Sequence, residues 1–337
     1  MGLGTAQTHA APEYIYGIGT DWNLYQITVD PLANTVSTSA KQNLAGFVSG
    51  WGTASHKNEY LNGLAIDHST GDIYFNYSYN DNSTSSSGTM TVVPYIYQNS
   101  GGSYKVPYAL GSAISSPTLP ATDVGSGWLP RATYYNGTYY SGLQNSDTLV
   151  VMPISGTTTK SYTTVASYAN WDHSSFSVMG GGDFVIGSNN VIYGSTVGSN
   201  NQNNFYRQQL SNATNVGGGN SWTNFNVDAS LPFNTQGSIQ VAGLGQSTDL
   251  FVISSSGKNV YQVNGYNNST APTFTQIGGN GIIPVVMTDL SIIVSAPLPV
   301  PEASTMVGGA GIAIGASFEW FRRRRKRREL AASPPAA

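Results

Sequence analysis

The sequence predicts an all-β fold. Only 9% of the 337 residues are charged, and the helix-favouring Glu, Lys, Arg and Leu are scarce. Tyr, Val, Ile and Thr, which suit a half-buried pleated surface, occur in short runs between clusters of Gly, Asn, Asp and Ser. No amphipathic helical pattern interrupts these runs. A hydrophobic content of 39% is enough to build a core between strands.

One pattern recurs four times along the middle of the chain. An apolar run meets a turn containing Gly, Asp or Asn, and an aromatic-rich strand follows. The matching aromatic residues lie 65, 54 and 58 positions apart, at Tyr74, Tyr139, Tyr193 and Phe251. This spacing is consistent with a four-stranded repeat that carries variable loops. Two further strands complete each repeat, among them Tyr104 to Leu110 and Lys160 to Tyr168.

The two ends of this region complement each other. Met287 to Val294 has the pattern of the inner strand of a blade, but no further strands of that blade come after it. Three runs between Tyr14 and Ala40 have the pattern of the remaining strands of a blade, but no inner strand precedes them. Joining them gives a fifth sheet from both termini, which protects the edges that open sheets expose. Residues 12–296 therefore resemble a β-propeller, with five four-stranded blades as the prediction. A large β-sandwich, a β-helix and a propeller of six or seven blades are the alternatives.

The C-terminal tail has three parts. After a linker from residue 297 comes a short element, Val300, Pro301, Glu302 and Ala303. Residues 304–321 are mostly apolar and long enough to cross a bilayer core as a helix. Seven cations follow within the basic stretch 322–337: Arg322, Arg323, Arg324, Arg325, Lys326, Arg327 and Arg328. Such cations stay in the cytoplasm, so we expect the propeller on the non-cytoplasmic side. A buried glycine-rich helix with a solvated basic tail is the alternative.

This order of parts resembles the PEP-CTERM sorting signals of Gram-negative bacteria that make extracellular polysaccharide. Val300, Pro301 and Glu302 match the Pro-Glu-Pro element of that class, and Ala303 stands where the class has its second proline. The resemblance covers the tail only. It implies that an exosortase recognises the precursor in the inner membrane and cuts near the element, so that the protein reaches the cell surface or the exterior. If Ala303 prevents cleavage, we expect a lasting inner-membrane protein.

The start of the chain lacks the basic region and apolar core of a signal peptide. Thr8-His9-Ala10 has small residues at the -3 and -1 positions of a signal-peptide cleavage site. We therefore expect residues 1–11 to be the end of a signal peptide or a disordered start. A cytosolic domain that begins at Met1 is the alternative.

Charge and composition exclude several classes of function. Between Pro12 and Pro301 there are fourteen Asp or Glu and seven Lys or Arg, so this region has no basic field for nucleic acid. The chain has no Cys, which removes disulfides, thiolate metal sites and cysteine nucleophiles. Phosphate-binding and dinucleotide-binding glycine motifs are also missing, and we expect no cofactor.

Candidate chemistry is sparse. Asp67 and Asp72 bracket a turn that suits a hairpin or, with more oxygen ligands, calcium. Asp172 and His173 suggest acid/base chemistry, although Asp172 can simply cap a turn. The histidines form no pair with zinc-ligand spacing, so we expect no metal site: His9, His56, His68 and His173.

Four aspartates recur at comparable repeat positions: Asp67, Asp183, Asp249 and Asp289. A residue repeated in several blades meets a structural need more readily than a catalytic one, although an Asp pair could serve a carbohydrate-active hydrolase. Tyr and Trp could stack on sugars, but at blade periodicity they are more typical of the core between sheets. We expect a non-catalytic domain that binds extracellular polysaccharide or a surface protein, with the hydrolase as the alternative.

Overall fold

The computed structural model describes residues 12–53, 55–81, 90–100, 103–115, 131–142, 149–162, 166–169, 183–187, 190–197, 203–209, 214–215, 226–230, 239–242, 250–254, 258–266 and 272–293. Within these ranges the chain forms β-strands and one 3-10 helix, Ala45–Phe47. Short strands are what the composition predicts, because β-branched and aromatic residues fill them and Gly, Asn and Asp fill the turns.

Blades 1 and 2 are the first two sheets. Their strands are β1 (Glu13–Gly19), β2 (Asn23–Asp30), β3 (Thr35–Asn43), β4 (His56–Ile66), β5 (Ile73–Asp81), β6 (Met90–Tyr97), β7 (Asn99–Ser100), β8 (Ser103–Tyr104), β9 (Tyr108–Ala109), β10 (Ile114–Ser115) and, from the far end of the chain, β25 (Met287–Ile293). Blade 1 has the order β25-β1-β2-β3. Blade 2 has the order β4-β5-β6-β10, with β9 also paired to β6, and β7 pairs separately with β8.

Blades 3, 4 and 5 follow in chain order. Their strands are β11 (Arg131–Tyr135), β12 (Thr138–Gly142), β13 (Leu149–Ser155), β14 (Ser161–Tyr162), β15 (Ala166–Ala169), β16 (Phe184–Ile186), β17 (Val191–Val197), β18 (Asn203–Gln209), β19 (Thr214–Asn215), β20 (Asn226–Ser230), β21 (Ile239–Ala242), β22 (Leu250–Ser254), β23 (Asn259–Asn264) and β24 (Thr273–Ile277). Blade 3 has the order β11-β12-β13-β15-β19, with β14 on β13. Blades 4 and 5 are β16-β17-β18-β20 and β21-β22-β23-β24.

The first strands of the sheets form a closed ring. Strands β25, β4, β11, β16 and β21 contact one another in that order, and β21 contacts β25. In blade 1, β25 pairs antiparallel with β1, with Tyr14 opposite Ile293 and Ile18 opposite Asp289. The predicted all-β propeller is confirmed, and its ring is closed by a sheet that joins strands from both ends of the domain.

Aromatic residues on the second strand of each blade fill the core between sheets. The four aromatic residues predicted by the repeat, together with Tyr16 in blade 1, are at most 1% exposed: Tyr74, Tyr139, Tyr193 and Phe251. Tyr74 stacks on Tyr139 of the next blade, with ring centroids 5.6 Å apart. Burial of each such side chain contributes roughly 1.5–3 kcal/mol, so these residues hold neighbouring blades together.

The outer strands of blades 2 and 3 differ from the prediction. The run from Tyr104 to Leu110 contains the last residue of β8 and the two residues of β9, separated by a stretch with Pro107, which has no N–H for a strand ladder. The run from Lys160 to Tyr168 likewise divides into β14 and β15. Lys160 itself precedes β14 and contacts blade 2 instead. Outer strands pack on one side only, so local sequence and neighbouring contacts can interrupt them.

Residues 1–11 and the whole C-terminal tail lie outside the described residues. These include Val300 to Ala303, the apolar segment 304–321 and the cationic run that ends at Arg328. In the part of the chain that the structure describes, no helix has the length and apolar character needed to cross a membrane.

Candidate functional site

Five half-exposed aromatic side chains gather where β4 begins and β5 ends. Trp22 lies in the turn between β1 and β2, and Trp51 follows the 3-10 helix. His56 and Tyr60 lie on β4, and Tyr79 lies on β5. We call these five residues the aromatic patch. Unlike the aromatic residues of the core, they are partly accessible to solvent and do not occupy the repeat positions.

The rings of the patch pack against one another in both edge-to-face and stacked arrangements. The centroids of Trp22 and Trp51 are 5.2 Å apart, with an interplanar angle of 67°. Trp22 and Tyr60 are 6.4 Å apart at 85°. His56 stacks on Tyr79 at 3.7 Å and 20°. Mutual packing of this kind fixes the side chains before any ligand binds, which lowers the entropic cost of binding.

A chain of hydrogen bonds lies beneath the patch. The Tyr77 hydroxyl donates to Oε1 of Glu59 at 2.5 Å, and Nδ1 of His56 lies 2.8 Å from the same hydroxyl. The Gly52 N–H donates to both oxygens of Glu59, at 3.0 and 2.9 Å. Burial of Tyr77, followed by its bond to Glu59, raises the pKa of the phenol well above its ordinary value. The hydroxyl therefore keeps its proton, and the carboxylate remains an acceptor.

Two backbone irregularities shape the patch. Trp22 has a φ of 65°, a conformation that costs about 1–2 kcal/mol for a residue with a side chain. The Leu44 N–H donates to the Trp22 carbonyl at 2.9 Å and helps to hold this turn. In β4 the register on β5 shifts between Lys57 and Tyr60, around Asn58 at a φ of 49°. Bulges re-aim side chains, and strained conformations of this kind cluster at functional sites.

A second polar group lies at the ring of first strands, around another bulge in β4. The register shifts near Gly63, which has a φ of 66°. The Leu64 N–H donates to Oδ2 of Asp289 in blade 1 at 2.7 Å, and the Tyr139 hydroxyl of blade 3 donates to the Gly63 carbonyl. Side chains from two neighbouring blades therefore satisfy backbone groups that the bulge leaves without ladder partners.

Asp289 also lies close enough to the carboxyl of Asp183 on blade 4 for the two groups to interact. Burial, and then the charge and hydrogen bond of Asp183, raise the pKa of Asp289 well above its ordinary value, against the opposing effect of the Leu64 and Leu290 N–H groups. Both aspartates are 0% exposed. A hydrolase needs carboxyl groups that reach its substrate. This pair is closed to solvent.

Asp183 and Asp289 occupy equivalent positions, two residues before the residue that pairs with Tyr193 or Tyr16. Asp67 instead follows β4, so among the described aspartates the predicted shared position holds for this pair alone.

The turn considered for calcium holds a lysine instead. Nζ of Lys160 forms ion pairs with Oδ2 of Asp72 and, at 3.6 Å, with Oδ2 of Asp67. Burial alone would raise the pKa of Asp67, but hydrogen bonds from Ser69 and Thr70 and the Lys160 charge lower it on balance. The pair of carboxylates therefore anchors blade 3 to blade 2. Among the described residues, no group of three His, Asp or Glu side chains could hold a metal ion.

The other histidines and aspartates singled out in the sequence form no further site among the described residues. Burial lowers the pKa of His68 to about 4, partly opposed by the nearby Asp67 charge, so its ring is neutral at pH 7. His9, Asp172, His173 and Asp249 lie outside the described residues, as do the residues of the sorting element. His56 is the one sequence candidate that lies in the aromatic patch.

The other members of the patch were not predicted. Trp22, Trp51 and Glu59 come from a turn, a connection and a strand, with no regular spacing among them. The available signal was that Trp22 and Trp51 fall outside the predicted strands, and that Trp51 lies between two glycines. That signal does not reveal which side chains meet.

No family model matches the chain, and no curated protein does. Among solved structures, the chain is similar to one from a nidogen–laminin complex, with 9% identity, a TM-score of 0.41, and coverage of 84% of this chain and 98% of that one. It is similar to the fucose-specific lectin from Aleuria aurantia, with 13% identity, a TM-score of 0.39, and coverage of 79% and 74%. TolB from Acinetobacter baumannii has 9% identity, a TM-score of 0.36, and coverage of 86% and 68%.

Proposed function

We propose that the propeller is a carbohydrate-binding domain whose ligand is a neutral glycan held at the aromatic patch. The observation that carries this proposal is the half-exposed group of Trp22, Trp51, His56, Tyr60 and Tyr79 over a hydrogen-bonded carboxylate. Pyranose rings present apolar C–H faces that pack on aromatic rings, and hydroxyls that need fixed polar partners. The patch offers both kinds of group in one place.

Charge favours a neutral glycan over an acidic one. Glu59 lies within the site, and the region from Pro12 to Pro301 carries fourteen acidic and seven basic residues. An acidic field of this kind repels uronic acids and anionic polysaccharides. A surface protein as the ligand is the competing outcome of the test that follows.

Replacement of Trp51 by alanine is expected to weaken glycan binding at least tenfold, because it removes about 1.4 kcal/mol or more of stacking and burial. An array of immobilised neutral and acidic oligosaccharides would identify the ligand, and titration calorimetry would give the affinities. Trp22→Ala should act in the same direction. Circular dichroism would check that each variant is folded.

Tyr135→Ala is the matched control, since Tyr135 is also a half-exposed aromatic residue but lies on β11 in blade 3. It should leave glycan affinity unchanged. Equal losses in Tyr135→Ala and Trp51→Ala, or binding to surface proteins and to no glycan, would remove the support for this site.

We also propose that the domain is exported and that its tail sorts it to the cell surface. The order of the Pro301-Glu302 element, the apolar segment 304–321 and the cations from Arg322 supports this proposal. With a signal peptide supplied upstream, in a host that has an exosortase, fractionation and intact-mass analysis should find a released form that ends near Val300. A variant with the seven cations neutralised should not be processed. A full-length cytosolic product from the unmodified tail contradicts the sorting proposal.

A further inference from the structure

The hydrogen-bond chain beneath the patch has a fixed direction. The carboxylate of Glu59 can only accept hydrogen bonds. The Tyr77 hydroxyl has a single proton, and that proton is directed to Glu59 at 2.5 Å. The phenolic oxygen can therefore only accept from Nδ1 of His56, which lies 2.8 Å away. It follows that Nδ1 carries the proton in the neutral imidazole, and that Nε2 carries the lone pair.

The lone pair on Nε2 is available to a ligand. No described residue hydrogen-bonds to this nitrogen, and it is not among the buried polar atoms that lack a partner. The ring is also held in place. Tyr79 stacks on it, and Gly50 lies so close that an added Cβ would be 2.5 Å from Cε1 of His56. Gly50 has a φ of 88°, so both its conformation and its position require glycine.

We propose that Nε2 of His56 accepts a hydrogen bond from a hydroxyl group of the bound glycan, and so selects sugars that carry a hydroxyl at one position. The ligand named here rests on the proposed glycan-binding function. The proton arrangement of His56 does not, because it follows from contacts within the protein. A site built around one acceptor rejects an analogue that lacks the matching hydroxyl, since the acceptor is then left unpaired.

The first experiment tests the proton arrangement in the free protein. Long-range ¹H–¹⁵N correlation spectra at pH 8 should show His56 with a protonated Nδ1 and an unprotonated Nε2. In Tyr77→Phe the acceptor for Nδ1 is lost, and the signals should move towards the Nε2-protonated form. A wild-type spectrum with the proton on Nε2 would overturn the proposal directly, whether or not any variant folds.

The second experiment tests the bond to the ligand. Asparagine can replace Nδ1 in the bond to Tyr77 but has no group at the position of Nε2, whereas glutamine places an amide there. We expect His56→Asn to weaken binding about fivefold or more, and His56→Gln to retain more affinity. Among monodeoxy forms of the glycan found by the array, one should bind the wild type about fivefold more weakly, and that penalty should disappear in His56→Asn.

The two proposals fail in different ways. If all deoxy sugars bind the wild type and His56→Asn with the same ratios, the His56 bond is wrong although the glycan site stands. If the wild type binds no glycan, both the proposed function and the ligand named here are wrong, and the spectra still decide the proton arrangement by themselves.

Discussion

Lys160→Met should lower the free energy of unfolding at pH 7 by about 3 kcal/mol or more. The ammonium group lies between Asp67 and Asp72, whose side chains are 8% and 1% exposed, and the lysine side chain is 11% exposed. Methionine keeps the apolar stem but leaves two buried carboxylates without their counter-charge, which is the situation in which loss of one partner destabilises most. Urea unfolding followed by tryptophan fluorescence would measure the change.

Lys105→Met is the control for the loss of a lysine between the same blades. Nζ of Lys105 donates to the Thr158 carbonyl at 2.9 Å and to Gln98, has no carboxylate partner among the described residues, and belongs to an exposed side chain. A change below about 1 kcal/mol is expected there. Adding Asp72→Asn to Lys160→Met should recover part of the loss, because the introduced amide oxygen can still accept from the Asn99 N–H. If the double variant is no more stable than Lys160→Met, the buried charge is not the cause.

The propeller could be predicted from the sequence because the pattern of its buried aromatic residues repeats from blade to blade. Tyr74, Tyr139 and Tyr193 recur at nearly constant spacing and are all buried on second strands, and the unmatched strand patterns at the two ends identified the closing sheet. A periodic signal survives variable loops, because each blade must bury the same face against its neighbour.

The candidate site could not be predicted in the same way. Bulges at Asn58 and Gly63 shift the register of β4 on β5, and a shift of one residue exchanges the two faces of a strand. The bond between Glu59 and Tyr77 depends on the first of these shifts. The contact between Leu64 and Asp289 joins residues 225 positions apart, and depends on the second. Local sequence does not encode such contacts, because they form only when the ring closes.

The ring of first strands also explains why Asp183 and Asp289 share one repeat position but differ in their contacts. Oδ1 of Asp183 accepts from the Phe184 N–H at 2.7 Å, and Oδ1 of Asp289 accepts from the Leu290 N–H at 2.7 Å. The local contact is the same in the two blades. Asp289 then uses its second oxygen for a backbone group of the next blade, Leu64. Repetition therefore provides the local contact, and the bulge in β4 supplies the second contact of Asp289.

Asp183→Asn is expected to reduce the decline in stability that the wild type shows between about pH 7 and pH 8. The buried pair raises the pKa of Asp289, so the folded protein keeps a proton that the unfolded chain releases above about pH 4. The folded state then binds more protons than the unfolded state, and the free energy of unfolding falls by about 1.4 kcal/mol for each pH unit. That stabilisation is complete below the unfolded pKa and is lost as the pH rises towards the folded pKa.

The two members of the pair should respond differently, because their hydrogen bonds differ. In Asp183→Asn the amide keeps an oxygen for the Phe184 N–H and removes the charge that faces Asp289, so the slope becomes shallower, while burial still raises the pKa of Asp289. In Asp289→Asn the amide nitrogen cannot accept from Leu64 or Leu290, and a loss of about 1–3 kcal/mol at every pH is expected. Urea titrations at pH 7, 7.5 and 8 separate the two effects. His68, whose folded pKa is about 4, makes stability rise with pH up to its unfolded pKa of about 6.5, so it offsets the decline only below this range. The lowered pKa of Asp67 changes stability only below about pH 4, and the buried tyrosines act only above about pH 10. A wild-type slope that persists unchanged in Asp183→Asn would show that Asp183 does not help to hold the retained proton.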